Sequence, residues 1–278
     1  MPTFTKAVLD GPVQSIEPLA VPAPPATIDE RELETRKVVV VMPAYNAART
    51  LNQTWQAIPK NWVDSIILVD DSSRDETAEV ARELDLHVIR HPHNVGYGGN
   101  QKTCYMEALR LGADVIVMLH PDGQYDPTLL PDIVRPILAG EADFVLGSRF
   151  ATKGGARKGG MPLYKFISNR FLTTVENIVL GRKFSELHTG YRAYSRRFLE
   201  TIPFLRNSND FVFDSEVVAQ AVSFGFRVSE VPVETRYFAE ASSANFRQSL
   251  VYGLKTMSVT GVFMLHRLGV VRSRLFRR

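Results

Sequence analysis

Short apolar runs rich in β-branched residues recur through the first half of the chain. They are Val38-Val39-Val40-Val41-Met42, Ser65 to Asp70, Leu86 to Arg90, Val115 to Leu119 and Asp143 to Leu146. The longer runs show no polar alternation, the pattern of strands covered on both faces. Between them lie helical stretches: Ala47 to Ile58, Glu76 to Leu84 with Asp75 as its N-cap, a glycine loop Asn94 to Asn100 opening a helix to about Leu111, and Pro127 to about Ala139 with Asp126 as cap. Repeated strand–turn–helix units predict an α/β fold with an open, doubly wound, mostly parallel sheet and helices on both faces. Right-handed crossovers then place the C-terminal ends of the strands along one edge, where ligands bind in such sheets. Beyond residue 150 the rhythm changes. Ala151 to Pro162 reads as a mobile glycine- and lysine-rich segment, Leu163 to Leu180 as a helix, Glu186 to Arg192 as a polar loop, Phe213 to Phe224 as a helix and Arg227 to Val233 as a strand.

Prolines at 2, 12, 18, 22, 24 and 25, with no apolar period among them, make residues 1–35 an expected disordered leader. The α/β domain is expected over 36–240. Residues 241–278 form an expected amphipathic helical segment ending in the basic run Arg272-Ser273-Arg274-Leu275-Phe276-Arg277-Arg278. Within it Phe246, Leu250, Leu254, Met257 and Gly261 recur every three or four residues. Such a stripe either packs on the sheet or lies at a membrane surface, and the pattern alone leaves both open.

Composition narrows the classes. With 33 basic residues against 30 acidic ones, the net charge of +3 gives no basic field of the kind nucleic acid requires, so no nucleic-acid partner is expected. Cys104 is the single cysteine, which excludes an intrachain disulfide and suits a reducing compartment. No secretory signal pattern opens the chain and no run of about 18 apolar residues occurs. The expected location is cytoplasmic, with peripheral contact to the cytoplasmic face of a membrane as a further possibility.

Four polar turns follow predicted strands. Pro43-Ala44-Tyr45-Asn46 offers an aromatic ring and an amide to a planar base, and is equally a serviceable turn. Asp70-Asp71-Ser72 sets two carboxylates side by side, whose repulsion asks for a ribose diol, a base N–H or a cation, unless the pair merely caps the next helix. Asn94 to Asn100 lacks the spacing of a phosphate-binding loop, so its glycines serve close approach or a tight turn. In the fourth turn His120, Asp122 and Gln124 alternate, so three donors can converge on one cation, Mg²⁺ or Mn²⁺, with imidazole favouring Mn²⁺. So few protein ligands suit an ion completed by substrate phosphates.

Six segments in this order resemble glycosyltransferase family 2: Val-Val-Met-Pro-Ala-Tyr-Asn (40–46), Ile-Leu-Val-Asp-Asp-Ser-Ser-Arg-Asp-Glu-Thr (67–77), Asn-Val-Gly-Tyr-Gly (94–98), Asp-Gly-Gln-Tyr-Asp-Pro (122–127), Gly-Ser-Arg-Phe (147–150) and Thr-Gly-Tyr-Arg (189–192). The likeness covers about residues 37 to 240 and is strongest to the dolichyl-phosphate mannosyltransferase and polyprenyl-phosphate glycosyltransferase branch. It implies a GT-A fold, a nucleoside-diphosphate sugar donor, a divalent metal, inversion at the anomeric carbon and a lipid-phosphate acceptor. It places Pro43, Tyr45, Asp71 and Gly96 around the nucleoside, and Asp122 and Gln124 at the metal and diphosphate. Arg149 and Arg192 fall where this branch handles phosphate. Glu186 to Arg192 resembles its acceptor-side loop, and Phe213-Asp214-Ser215-Glu216 its acidic helix start. Two positions depart from the pattern: His120 stands where an acidic residue is usual, and Ala47 replaces a glutamate.

An acceptor hydroxyl would need a general base, for which Asp214 and Glu216 are the candidates, although a helix N-terminus favours acidic residues in any case. A lipid phosphate needs none. A glycosyltransferase acting on a hydroxyl, a nucleotidyltransferase and an inactive nucleotide-sugar-binding protein remain as alternatives.

Overall fold

The computed structural model describes residues 35–152, 154–235 and 246–277. The expected leader, apart from residue 35, and the domain boundary near 240 lie outside the described residues. Seven strands form one sheet: β1 (Val38–Ala44), β2 (Ser65–Asp70), β3 (His87–Arg90), β4 (Val115–Met118), β5 (Phe144–Ser148), β6 (Arg192–Ser195) and β7 (Val228–Pro232), in the order β3-β2-β1-β4-β6-β5-β7. β1 pairs in parallel with β2 and β4, β2 with β3, and β5 with β7. β6 is antiparallel to both of its neighbours.

The continuous apolar runs do what their lack of alternation implies. Every residue of β1 is buried. Val39 and Val41 join one core and Val38, Val40 and Met42 the other, because successive side chains leave a strand on opposite faces. The helices α1 (Ala48–Ala57), α2 (Thr77–Glu83) and α4 (Leu130–Leu138) cover one face. The helix α3 (Tyr97–Arg110) covers the other, with three further helices beyond β5. Those three are α7 (Arg196–Thr201), α8 (Phe213–Ser223) and α9 (Phe246–Arg267), and α9 packs against α6 (Leu163–Leu180).

Several expectations are revised. β1 continues through Pro43 to Ala44, and the missing proline N–H is tolerated because pairing with β4 ends at Val41↔Met118. Asp126 accepts the Thr128 N–H at 2.9 Å and caps the turn at Pro127 as expected, whereas the helix expected to be capped by Asp75 starts at Thr77 after Glu76, and Asp75 accepts the Thr77 N–H at 3.2 Å from one residue further out. Within 151–162 a short helix, α5 (Gly155–Lys158), is present. The polar loop expected over Glu186 to Arg192 runs into a strand, β6, which lies inside the sheet between β4 and β5, its Tyr194 ring stacked 4.8 Å from Phe144.

The stripe on α9 also has a definite address. Leu250 is 57% exposed, Leu254 65% and Met257 37%, whereas Thr256, Val259, Thr260 and Phe263 are buried. The apolar stripe therefore faces outward at these positions, and the helix packs by the face that carries Thr256, Val259, Thr260 and Phe263. The Phe246 side chain lies outside the described residues.

Candidate active site

Parallel pairing of β1, β2, β3 and β4 brings all four polar turns to one edge of the sheet. The first two are stitched together. Asn46 and Ser72 both take positive φ, 53° and 63°. Asn46 N donates to Ser73 Oγ at 2.8 Å, Arg74 N donates to Asn46 Oδ1 at 2.9 Å, and Ala48 N to Asp75 Oδ2 at 3.1 Å. Tyr45 stands 47% exposed beside this seam, with Pro43 and Ala44 buried behind it.

The adjacent carboxylates are compensated from within the chain. Asp70 accepts from Ser73 N and lies 3.1 Å from Arg90 Nε. Asp71 accepts from Val95 N at 2.9 Å and Gly96 N at 3.1 Å, with His91 Nδ1 at 2.9 Å. The second turn thus holds the third. Gly96 has φ +89°, and a Cβ there would come 2.5 Å from Asn209 O. Its close approach is to the loop before α8, a use of glycine that spacing alone left undecided.

The fourth turn is locked from two sides. Asp122 Oδ1 accepts the Gln124 N–H at 3.0 Å. The Tyr125 hydroxyl accepts the Gly190 N–H at 2.8 Å, and Thr189 Oγ1 donates to Gly147 O. Gly190 lets the loop lie on the His120 ring, since a Cβ there would be 2.9 Å from His120 Cδ2. Tyr97, the first residue of α3, stacks on His120 with centroids 5.6 Å apart. Its hydroxyl lies 3.2 Å from His120 Nε2 and donates to Asp214 Oδ2 at 2.8 Å.

The charged candidates then divide. Arg192 has no exposed surface. It donates to the carbonyls of Thr189 (2.7 Å), Leu187 (3.2 Å) and Asp214 (3.2 Å), and lies 3.5 Å from Asp214 Oδ1. The phosphate contact expected of Arg192 therefore meets a side chain engaged in shaping the 187–192 loop. Arg149 is likewise buried, bound through its backbone N (2.7 Å) and Nε (2.9 Å) to the Glu186 carboxylate. Glu216 accepts the Ser208 N–H at 2.7 Å, and burial pushes its carboxyl up to about 7. Asp214 also accepts from Gln101 Nε2 at 3.3 Å.

Among the described residues no group of three or more His, Cys, Asp and Glu surrounds one point. The donor set His120, Asp122 and Gln124 still fits a divalent ion that takes its remaining ligands from a diphosphate. Burial raises the Asp122 carboxyl and the neighbouring His120 ring opposes this, so the carboxylate stands in a setting that a cation would favour.

A family model described as glycosyl transferase family 2 matches residues 39–202. The chain belongs to this family. Over 210 residues it is 30% identical to a polyprenol monophosphomannose synthase of Mycolicibacterium smegmatis, covering 72% of this chain and 77% of that one. It is 27% identical over 217 residues to a UDP-N-acetylglucosamine–dolichyl-phosphate N-acetylglucosaminyltransferase of Methanococcus voltae, covering 72% and 86%. A crystal structure of glucosyl-3-phosphoglycerate synthase from Mycobacterium tuberculosis with Mn²⁺ and UDP-glucose superimposes with a TM-score of 0.66. Identity there is 19% and coverage 90% and 86%, a likeness of fold, which is GT-A.

In this family 2 glycosyltransferase, sequence reasoning passed over Tyr97 and Gly190, which pack on His120 of the fourth turn, and Tyr125 within that turn. Their signal was present in Asn-Val-Gly-Tyr-Gly, Asp-Gly-Gln-Tyr-Asp-Pro and Thr-Gly-Tyr-Arg, but nothing local said which segments would meet. His188, within the 186–192 loop, is held between two helices: Nδ1 lies 2.7 Å from Tyr252 Oη on α9, and Nε2 lies 2.9 Å from Glu176 on α6.

Proposed function

We propose that the chain is an inverting, metal-dependent glycosyltransferase that moves a sugar from a nucleoside-diphosphate donor to a polyprenyl or dolichyl phosphate. The observation that carries the acceptor assignment is the position of His188. It ties the 186–192 loop to α6 and α9, and both helices expose apolar side chains: Ile167, Phe171 and Ile178 on the first, Leu250 and Leu254 on the second. A face of this kind suits contact with a lipid surface, and it brings the loop toward a lipid-borne phosphate. The names of the M. smegmatis and M. voltae relatives support the same acceptor class. Among the described residues no helix is long and apolar enough to cross a membrane, so contact would be peripheral.

In the reaction an oxygen of the acceptor phosphate bonds to the anomeric carbon as the bond from that carbon to the diphosphate breaks, the electron pair leaving with the nucleoside diphosphate. The acceptor is already anionic and needs no general base. That agrees with Asp214 and Glu216, both buried and engaged in hydrogen bonds to neighbours. The Pro43–Asn46 turn and Asp70-Asp71-Ser72, with Gly96, frame the nucleoside. Asp122, Gln124 and His120 hold Mg²⁺ or Mn²⁺, which when bound neutralises charge on the leaving diphosphate. Arg149 and Arg192 act by fixing the loop that positions the acceptor.

The test is a panel of nucleotide sugars with a short polyprenyl phosphate, with and without EDTA, using wild type and Asp122→Ala. Expected is sugar transfer that needs metal and falls at least 100-fold in the variant. Transfer that persists in both EDTA and Asp122→Ala removes the metal assignment, and transfer only to hydroxyl acceptors removes the lipid-phosphate one.

A further inference from the structure

His120 occupies the metal-motif turn, yet one of its two nitrogens is already taken. Its Nε2 lies 3.2 Å from the Tyr97 hydroxyl oxygen. A tyrosine hydroxyl has one proton to give. Asp214 Oδ2, at 2.8 Å, takes it. Gln101 Nε2 and Arg192 Nη1 approach the other oxygen of that carboxylate, at 3.3 and 3.5 Å, so Asp214 is fixed as an acceptor.

With its proton given to Asp214, the Tyr97 oxygen can only accept from His120. Nε2 must then carry the ring hydrogen, and in the neutral imidazole Nδ1 carries the lone pair. The arrangement follows the logic by which a hydrogen bond at one ring nitrogen sets the ligand character of the other. The Tyr97 ring stacks on the imidazole and Gly190 admits the loop against it, so the ring is held as well as polarised.

We propose that Tyr97, anchored by Asp214, is a positioning residue that fixes His120 as its Nε2–H tautomer and leaves the Nδ1 lone pair for the divalent cation at Asp122. The second half of this rests on the metal reading above, and the first half does not. The assignment also moves Asp214 from candidate base to anchor.

The experiment uses the full chain labelled with ¹⁵N, metal-free, at about pH 8, above the ordinary imidazole range. Long-range ¹H–¹⁵N correlations report which ring nitrogen is protonated, and His120→Gln identifies the His120 signals by their loss. Wild type is expected to show a protonated Nε2 and a bare Nδ1, and Tyr97→Phe a mixture of tautomers. Titration with Mn²⁺ alone, followed by its electron paramagnetic resonance, is expected to show about tenfold weaker binding in Tyr97→Phe. Thermal melts show whether that variant remains folded, and the wild-type nitrogen signals decide the tautomer even if it does not. A protonated Nδ1 in wild type overturns the proposal. So do a folded Tyr97→Phe protein with unchanged nitrogen signals and unchanged Mn²⁺ affinity. If wild type shows the expected tautomer but binds no Mn²⁺, the cation half is overturned together with the metal reading beneath it.

Discussion

Arg149 and Glu186 form a buried ion pair that joins the end of β5 to the start of the 186–192 loop. Glu186 has no exposed surface, and its carboxylate takes the Arg149 backbone N–H, Nε–H and Nη2–H, while Asn169 Nδ2 adds a further donor at 2.8 Å. Removing one partner strands a charge where water cannot reach it. Glu186→Ala is expected to cost about 3–5 kcal/mol, read as a shift of the urea midpoint. In a double-mutant cycle Arg149→Ala should add much less when Glu186 is already gone. Strictly additive effects would show that the pair does not act as a unit.

Gly96 carries two demands that a pair of glycines can separate. Gly96 has φ +89° and a Cβ site 2.5 Å from Asn209 O, whereas Gly112 has φ +81° and nothing within 4 Å. Gly112→Ala should cost only the backbone penalty, about 1–2 kcal/mol. Gly96→Ala adds a clash with the Asn209 carbonyl and pushes on the segment that Asp71 holds, so it should cost clearly more and raise the donor KM as well. Equal losses of melting temperature with an unchanged KM would remove the close-approach argument.

Glu216 makes stability depend on pH. Its folded carboxyl is raised to about 7 from an ordinary 4.5 by burial, so the folded protein holds a proton that the unfolded chain has released. At low pH both states are protonated and nothing is lost. As pH rises from near 4.5 toward 7 the unfolded state is favoured by its earlier ionisation, and the loss is complete above about 7. Glu216→Gln keeps an oxygen for Ser208 N without the charge. Its melting temperature relative to wild type should climb across that window and level off above it. A difference that stays flat with pH would contradict the assignment.

The outward stripe on α9 predicts vesicle binding. Leu250 and Leu254 are each more than half exposed, and each leucine transferred from water is worth about 1.5–3 kcal/mol. Replacing both by Gln should therefore lower co-sedimentation with anionic vesicles at least tenfold while leaving the thermal melt in place. Equal binding by wild type and variant would separate this face from the membrane.

The sequence by itself determined what is local. Unbroken apolar runs require strands buried on both faces, the turn residues between them mark where each strand stops, and the repeated strand–helix order brings those turns to a common edge. The place of Asp122 and its neighbours at that edge was legible for that reason. Tertiary structure alone decided what distant segments do to one another. The family resemblance reads Arg192 as a cation for phosphate. The antiparallel insertion of β6 between β4 and β5 instead buries it, against the backbone of its own loop and of α8. Tyr97 and Asp214 are 117 residues apart, and their hydrogen bond exists only because α3 and α8 cover the same face of the sheet. Periodicity reports which face of an element is apolar. It carries no information about which polar group waits on the other side, and that group sets the state of His120.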